Sequence, residues 1–347
     1  MTNEIPNRLP LYHRDAAVAE AERRAVALWP RIAEEMGLPA EDAAFSMMLV
    51  NSSGRDQRAV LGVRTTTGQR FVLRAEFATD NVSAHMKHLE RHRMAAQALR
   101  DVPGVNVPAL LWQDETRPYA LFEVAPGETA HRELTFASYG IVDRASLLRR
   151  IGGAVAALHD IGTPRDRRFW PREYLRGVAA SATRVRAGDI ALRKPKRFLG
   201  LCAMLHRFAN RARGEAYRTV ALHGDLHFRN ILMTQDLVSF IDFSAAGTGC
   251  NHIDLVNLWQ VKLPESLTEH DRERDFGCVA AADWQAFESG YGQTLTEDPV
   301  FQFIYLYRLY KVWRKLPPPG GEMAQWEQEA FVGTQRVFSW FQAHHPG

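Results

Sequence analysis

Leu222-His223-Gly224-Asp225-Leu226-His227-Phe228-Arg229-Asn230-Ile231-Leu232, followed by Val238-Ser239-Phe240-Ile241-Asp242-Phe243, is the stretch on which the reading of this 347-residue chain turns. His223-Gly224-Asp225 alone is a turn-forming tripeptide, and an isolated Asp-Phe carries no information. Together with Asn230 five residues past Asp225 and an apolar strand ending in Asp242, the pattern is specific. Asp and Asn offer the hard oxygen donors that a divalent cation on nucleotide phosphates requires. A carboxylate free of that task can accept the proton of an attacking hydroxyl. Met233-Thr234-Gln235-Asp236 reads as a hairpin turn. Closing it sets the two strand ends side by side, so Asn230 and Asp242 can share one metal while Asp225 faces an acceptor.

Upstream of that stretch, the chain divides by texture. Ala17, Val18, Ala21, Ala25, Leu28, Trp29 and Ile32 recur at helical spacing between residues 14 and 35, and Gly37-Leu38-Pro39 closes the run. Short apolar runs at Met47-Met48-Leu49-Val50, 58–63 and 70–74 predict an antiparallel meander, with turns at Asn51-Ser52-Ser53-Gly54 and Thr65-Thr66-Thr67-Gly68. A helix over 82–99 and a strand over 119–124 follow. Beyond Ala125-Pro126-Gly127 the chain is mainly helical: Leu147, Leu148, Ile151, Val155 and Leu158 line one face of a helix ending near His159. Further helices are predicted around 201–211, 284–290, 300–313 and 322–341. Residues 165–197, rich in Arg and Lys, read as a solvated insertion.

Composition limits the function classes. The chain is 46% hydrophobic and 24% charged, as a soluble globular protein is. No apolar run reaches the ~18 residues of a membrane span, and the N-terminus lacks a signal-peptide pattern. The net charge of +3 is too small to imply nucleic acid. Cys202, Cys250 and Cys278 form no Cys-x-x-Cys pair, which argues against a disulfide framework or zinc ribbon and for a cytoplasmic setting. The oligomeric state is left open.

At residues 223–242 the sequence resembles the aminoglycoside phosphotransferase family, which extends to the choline kinases. The resemblance continues through Phe243-Ser244-Ala245-Ala246-Gly247-Thr248-Gly249 to Asp254-Leu255. Upstream it includes Leu121-Phe122-Glu123-Val124-Ala125-Pro126-Gly127 and the helix from Gly152 to His159. It implies an α+β protein-kinase-like fold of two lobes: a small antiparallel-sheet lobe over 1–122, a hinge at 123–127 and a large, mainly helical lobe over 128–347. It implies an enzyme that uses ATP and Mg2+ to phosphorylate a hydroxyl of a small molecule such as a sugar, an amino alcohol or an aminoglycoside. Asp225 is then the catalytic base, and Asn230 and Asp242 ligate the metal. The backbone of Glu123, Val124 and Ala125 holds the adenine edge, and Ser52, Ser53 and Gly54 cover the phosphates. Asp254 is expected to anchor the backbone around His223 and Gly224, with His223 as scaffold.

The sequence also departs from the family pattern. Arg74 stands where many members carry Lys, as it does in choline kinases, and Glu90 is its expected partner. Cys250-Asn251 replaces the common Asp-Pro. These two departures motivate the alternative of a nucleotide-binding regulatory pseudokinase, against which the complete Asp225/Asn230/Asp242 set argues. The acceptor stays open: the basic stretch 165–197 could favour an anionic or phosphorylated one, although a solvated insertion is the better reading. Glu265, Glu269, Asp271, Glu273 and Asp275 alternate with basic residues, as on a solvated helix face. Trp259, Trp284, Tyr305, Tyr307, Tyr310 and Trp313 are raw material for a cation–π cage but recur at core-like helical spacing.

Overall fold

A computed structural model describes residues 16–51, 57–78, 80–245, 247–260, 263, 267, 274–275 and 279–345. The described chain forms two compact units. One comprises residues up to Ala96 together with Val107–Ala125; the other comprises Gln97–Asn106 and the chain from Pro126 onward.

The first unit is built on period-2 alternation. Strands β1 (Ala44–Asn51), β2 (Arg58–Arg64) and β3 (Arg70–Glu76) form the expected meander. After helix α3 (Val82–Leu99) and β4 (Val105–Asn106), strands β5 (Leu110–Gln113) and β6 (Tyr119–Glu123) complete a five-stranded sheet in the order β1-β2-β3-β6-β5. Register brings buried residues directly opposite one another: Ala59 pairs with Ala75, Leu61 with Leu73 and Val63 with Phe71. That face packs on Ala21, Ala25, Trp29, Ile32 and Ala33. These come from two helices, α1 (Ala16–Val26) and α2 (Trp29–Met36), where the periodicity predicts a single helical region. Pro30 explains the break, because a proline is tolerated in the first turn of a helix and not inside one. The opposite face, through Val72, Ala120 and Phe122, packs on Leu89 and Met86 of α3.

The second unit holds two small sheets among helices. Strands β7 (Glu128–Thr129), β10 (Ile231–Met233) and β11 (Val238–Phe240) join β4 in the order β4-β11-β10-β7. Strands β8 (Arg165–Arg168), β9 (Ala216–Ala221) and β12 (Thr248–Cys250) form the other, with β9 central. The helices are α4 (Ala130–Ser138), α5 (Arg144–His159), α6 (Arg172–Ala187), α7 (Pro195–Ala212), α8 (His252–Gln260), α9 (Ala281–Tyr291), α10 (Pro299–Lys315) and α11 (Gln325–His344). Helices α5 and α9 approach unusually closely. A Cβ on Gly152 would lie 2.2 Å from Phe287 O, and one on Gly290 would lie 1.9 Å from Arg149 O. The Arg144 guanidinium grips both carboxylate oxygens of Asp283 at 2.9 and 2.6 Å and fixes the same pair of helices.

Residues 165–197 are not a solvated insertion. They supply β8, which pairs with β9, and α6, which buries Val178, Ser181, Ala182 and Val185. The strand escapes sequence reading because Arg165, Asp166, Arg167 and Arg168 are all exposed and show no apolar alternation. No described helix is long and apolar enough to cross a membrane.

Candidate active site

The loop 222–230 leaves the end of β9 and is held by a carboxylate with no exposed surface. Asp254, in the first turn of α8, accepts His223 N–H at 2.7 Å and Gly224 N–H at 2.9 Å. Burial opposes ionisation of Asp254. The facing His159 imidazole and the Gly224 N–H outweigh it and hold the carboxyl below its ordinary range. His159 Nε2 faces Asp254 Oδ2 at 3.5 Å. Its other nitrogen lies 2.9 Å from Tyr291 Oη, which also accepts from Asn251 Nδ2 at 3.0 Å. Burial pushes the Tyr291 phenol up to about 12, so its hydroxyl stays protonated. Asn251, half of the pair that departs from the family pattern, thus belongs to the network that positions the loop.

Gly224 has no substitute. Its φ is +91°, and an added Cβ would meet Ala245 N at 2.5 Å. The close approach is enforced by His223 O, which accepts from Ser244 N at 2.8 Å and Ala245 N at 3.0 Å. His223 Nε2 lies 3.0 Å from Ile241 O. A carbonyl only accepts, so the proton sits on Nε2 and Nδ1 receives Asp225 N–H at 3.4 Å. The ring stacks on Phe243 at 4.3 Å between centroids. Burial keeps this imidazole neutral to lower pH than usual, and the charges of Asp254, Asp242 and Asp225 only partly oppose that. His223 is scaffold.

The β10–β11 hairpin then brings the metal-type donors to the loop. Ile231 pairs with Phe240, and Ile241 N–H donates to Asn230 O at 3.1 Å. Asn230, itself buried, donates from Nδ2 to Asp225 O at 2.9 Å and to Asp225 Oδ2 at 3.4 Å. The amide oxygen is therefore the atom Asn230 can offer to a cation. Asp242 adopts φ +61°, a left-handed conformation uncommon for a residue with a side chain and concentrated at functional sites. The Asp225 side chain is 47% exposed, with the buried His227 Nε2 at 3.5 Å from Oδ2. Hard oxygen atoms on Asn230 and Asp242 fit a magnesium-type ion, which takes one or two protein oxygens together with phosphates.

In the sheet unit, Glu123 N–H is already used by Ala109 O at 3.0 Å, and its carboxylate accepts Ala109 N–H at 3.1 Å. Val124 and Ala125 follow the end of β6 and carry the next backbone N–H groups. Arg74 does not pair with Glu90, which corrects the expectation from sequence. Its guanidinium binds Glu76 Oε1 through Nε at 2.9 Å and Nη2 at 2.7 Å, with Glu76 buried. Residues two apart share a face of a strand, so Arg74 meets its partner within β3. Glu90 lies with Arg93, Met94 and Gln97 on the exposed stripe of α3 and pairs with Arg93. Ser52, Ser53 and Gly54 lie outside the described residues, as do Glu265, Glu269, Asp271 and Glu273.

Two further results bear on the acceptor. Trp259, Trp284, Tyr305, Tyr310 and Trp313 are fully buried and stack on one another or on neighbouring rings, so they are core and not a cage. Arg308 on α10 was not singled out by sequence, yet its guanidinium lies in the field of Asp225. An arginine between Tyr307 and Leu309, in a run from Val300 to Tyr310 that is apolar or aromatic apart from Gln302, is the available signal.

The model of the phosphotransferase enzyme family known as APH matches residues 48–288. The chain belongs to this family. It is accordingly a phosphotransferase, and solved structures of similar fold agree. A choline/ethanolamine kinase family protein from Mesorhizobium loti aligns over 93% of this chain and 98% of its own, with TM-score 0.58 and 15% identity. A putative fructosamine-3-kinase from Thermobifida fusca aligns over 90% and 99%, with TM-score 0.51 and 18% identity. An amicoumacin kinase in complex with AMP-PNP and Ca2+ aligns over 92% and 96%, with TM-score 0.51 and 13% identity. At these identities the likeness establishes the protein-kinase-like fold. Compared with curated protein sequences, the chain has no significant match.

Proposed function

We propose that the chain transfers the γ-phosphoryl group of Mg·ATP to a hydroxyl of a small molecule, with Asp225 as base. The observation that carries this reading is the arrangement of the loop: Asp225 is half exposed while Asn230 is bonded to its backbone and the hairpin delivers Asp242 beside them. In the transfer, the acceptor oxygen bonds to the γ-phosphorus as the bond to the β,γ-bridging oxygen breaks. ADP leaves, and the hydroxyl proton passes to the Asp225 carboxylate and then to water. A bound Mg2+ would neutralise phosphate charge, with Asn230 and Asp242 as its protein ligands. Arg74, held by Glu76, supplies a permanently charged contact for phosphate oxygens, and the backbone of Glu123, Val124 and Ala125 supplies the adenine contact. We place the protein in the cytoplasm, where ATP is available.

The kinase relatives support a small-molecule acceptor, and the amicoumacin kinase complex supports nucleotide with a divalent cation. The pseudokinase alternative has no observation in its favour, since Arg74 has a buried carboxylate partner and Cys250 is a buried strand residue. The test is ADP release from purified protein and Mg·ATP across sugars, amino alcohols, hydroxy acids and aminoglycosides, with nucleotide binding measured in parallel. Asp242→Ala should weaken the metal-dependent part of nucleotide binding. Absence of both transfer and binding rejects the reading, and a fully active Asp242→Ala protein rejects the metal assignment.

A further inference from the structure

Residues beyond the family match, which ends at 288, have no role assigned by membership, and Arg308 is among them. Its place in the fold follows a chain of contacts from the catalytic loop. Asn257 on α8 donates to Gly224 O at 3.5 Å, and Gln260, one turn further on α8, donates to Tyr305 O of α10 at 3.0 Å. Arg308 stands one turn after Tyr305, and a helical side chain leans over the turn preceding it, toward that contact. The side chain is half-buried, and its Nε is buried with no hydrogen-bond partner. Burying an unpaired donor on a permanent cation is costly, and such a group calls for an anionic partner.

Two lysines of the same helix repeat the sign. Lys311 and Lys315 continue from Arg308 at helical spacing, and local desolvation followed by the charges of Arg308 and Lys315 lowers the Lys311 pKa. The Asp225 carboxylate is one whose field reaches Arg308. That residue is reserved for the proton of the acceptor.

We infer that the acceptor carries an anionic group, a carboxylate or a phosphate monoester, close to the hydroxyl that is phosphorylated, and that Arg308 binds this group. The inference rests on the kinase reading above. Asp225 then takes the hydroxyl proton while the guanidinium, at the other end of a short molecule, fixes which hydroxyl reaches it. Arg308 is a specificity-determining residue.

The test uses the full chain with Mg·ATP and matched acceptors: glycerate and glycerol 3-phosphate against glycerol, gluconate and glucose 6-phosphate against glucose, and 4-hydroxybutyrate against 1,4-butanediol. Ethanolamine and choline serve as cationic members. At least one acid should exceed its neutral twin in kcat/KM by about 10- to 100-fold, the worth of a charge-assisted hydrogen bond. The carboxylate and phosphate arms tell which anion is preferred. Arg308→Gln should collapse that ratio through the KM for the acceptor and not the KM for ATP, and Arg308→Lys should restore part of it. Where no pair turns over, thermal stabilisation of the Mg·ADP-bound protein by each acceptor reads the same preference. Preference for neutral or cationic members, no stabilisation by any acid beyond its twin, or an unchanged ratio in folded Arg308→Gln overturns the inference. Transfer that favours neutral acceptors over their acidic twins would overturn it while leaving the kinase reading intact; loss of nucleotide binding itself would remove the kinase reading.

Discussion

Around Asp225, the backbone is held from below by a carboxylate with no exposed surface: Asp254 takes the N–H groups of His223 and Gly224 from a helix thirty residues on. In the five-stranded sheet, Arg74 is held by Glu76, two residues along its own strand. The first arrangement spends a long-range buried charge to set a loop whose conformation no repetitive structure dictates. The second uses only the alternation of a strand. The loop should therefore fail abruptly when its anchor is removed, and the sheet should tolerate the loss of charges outside β3.

The largest effect is expected at Asp254. Removing one partner from a buried, hydrogen-bonded charge network costs about 3–5 kcal/mol, because the remaining groups stay buried without compensation. Asp254→Ala should lose about that much in urea unfolding, together with activity. Asp254→Asn keeps the shape and should lose less. If Asp254→Ala unfolds at the wild-type urea midpoint, the anchor role is wrong.

Asp225 gives the contrasting outcome. Asp225→Ala should lower kcat by about 100-fold or more, some 2.7 kcal/mol of barrier, since a positioned general base contributes in that range. Its half-exposed side chain carries little of the fold, so the unfolding midpoint should stay near wild type. An active Asp225→Ala enzyme would break the division between an anchoring and a reacting carboxylate.

The two regions also differed in how far they could be read from sequence. The loop was legible because its residues are close in sequence: His223, Gly224, Asp225, Asn230 and, across one hairpin, Asp242. The expectation that Asp254 anchors His223 and Gly224 is met by the two bonds to its carboxylate. In the sheet unit the strands and α3 were legible from periodicity, but the partner of Arg74 was not. Glu90 is the one acid on the following helix, but it is Leu89 that meets the sheet from that helix, and Glu90 faces solvent. Arg308 was missed for a different reason. Its significance depends on α10 reaching the loop by way of α8, a tertiary contact without a local pattern.

A smaller, pH-dependent effect separates the loop's two buried titrating groups. Unfolded, His223 takes up a proton as pH falls through about 6.5. Folded, burial keeps it neutral to lower pH. The unfolded state then binds more protons, so stability falls on acidification from that pH downward. Asp254, held below the ordinary carboxylate range, adds a second decline of the same sign below about pH 4, as its unfolded counterpart protonates first. Urea unfolding from pH 7.5 to 3.5 should show both declines. His223→Gln should reduce the proton uptake on unfolding between pH 7 and 5 by up to about one and leave the lower decline in place. An unchanged upper slope would assign it to other histidines.

The smallest effect tests the sheet side of the comparison, where sequence and structure disagree. If Arg74 contacts nucleotide phosphate while Glu76 holds it, Glu76→Gln removes the charge from a buried pair and loosens the guanidinium. The KM for ATP should then rise several-fold. Glu90→Gln breaks an ion pair with Arg93 in which both side chains are at least half exposed, a class of contact that water and salt leave with little net value. The KM for ATP should stay within about twofold of wild type. Equal changes in the two variants, or a larger one for Glu90→Gln, would return Glu90 to Arg74 in the nucleotide-bound state. That result would mean α3 turns its now exposed stripe toward the sheet when ATP binds, and the alternation of β3 alone would no longer account for the position of Arg74.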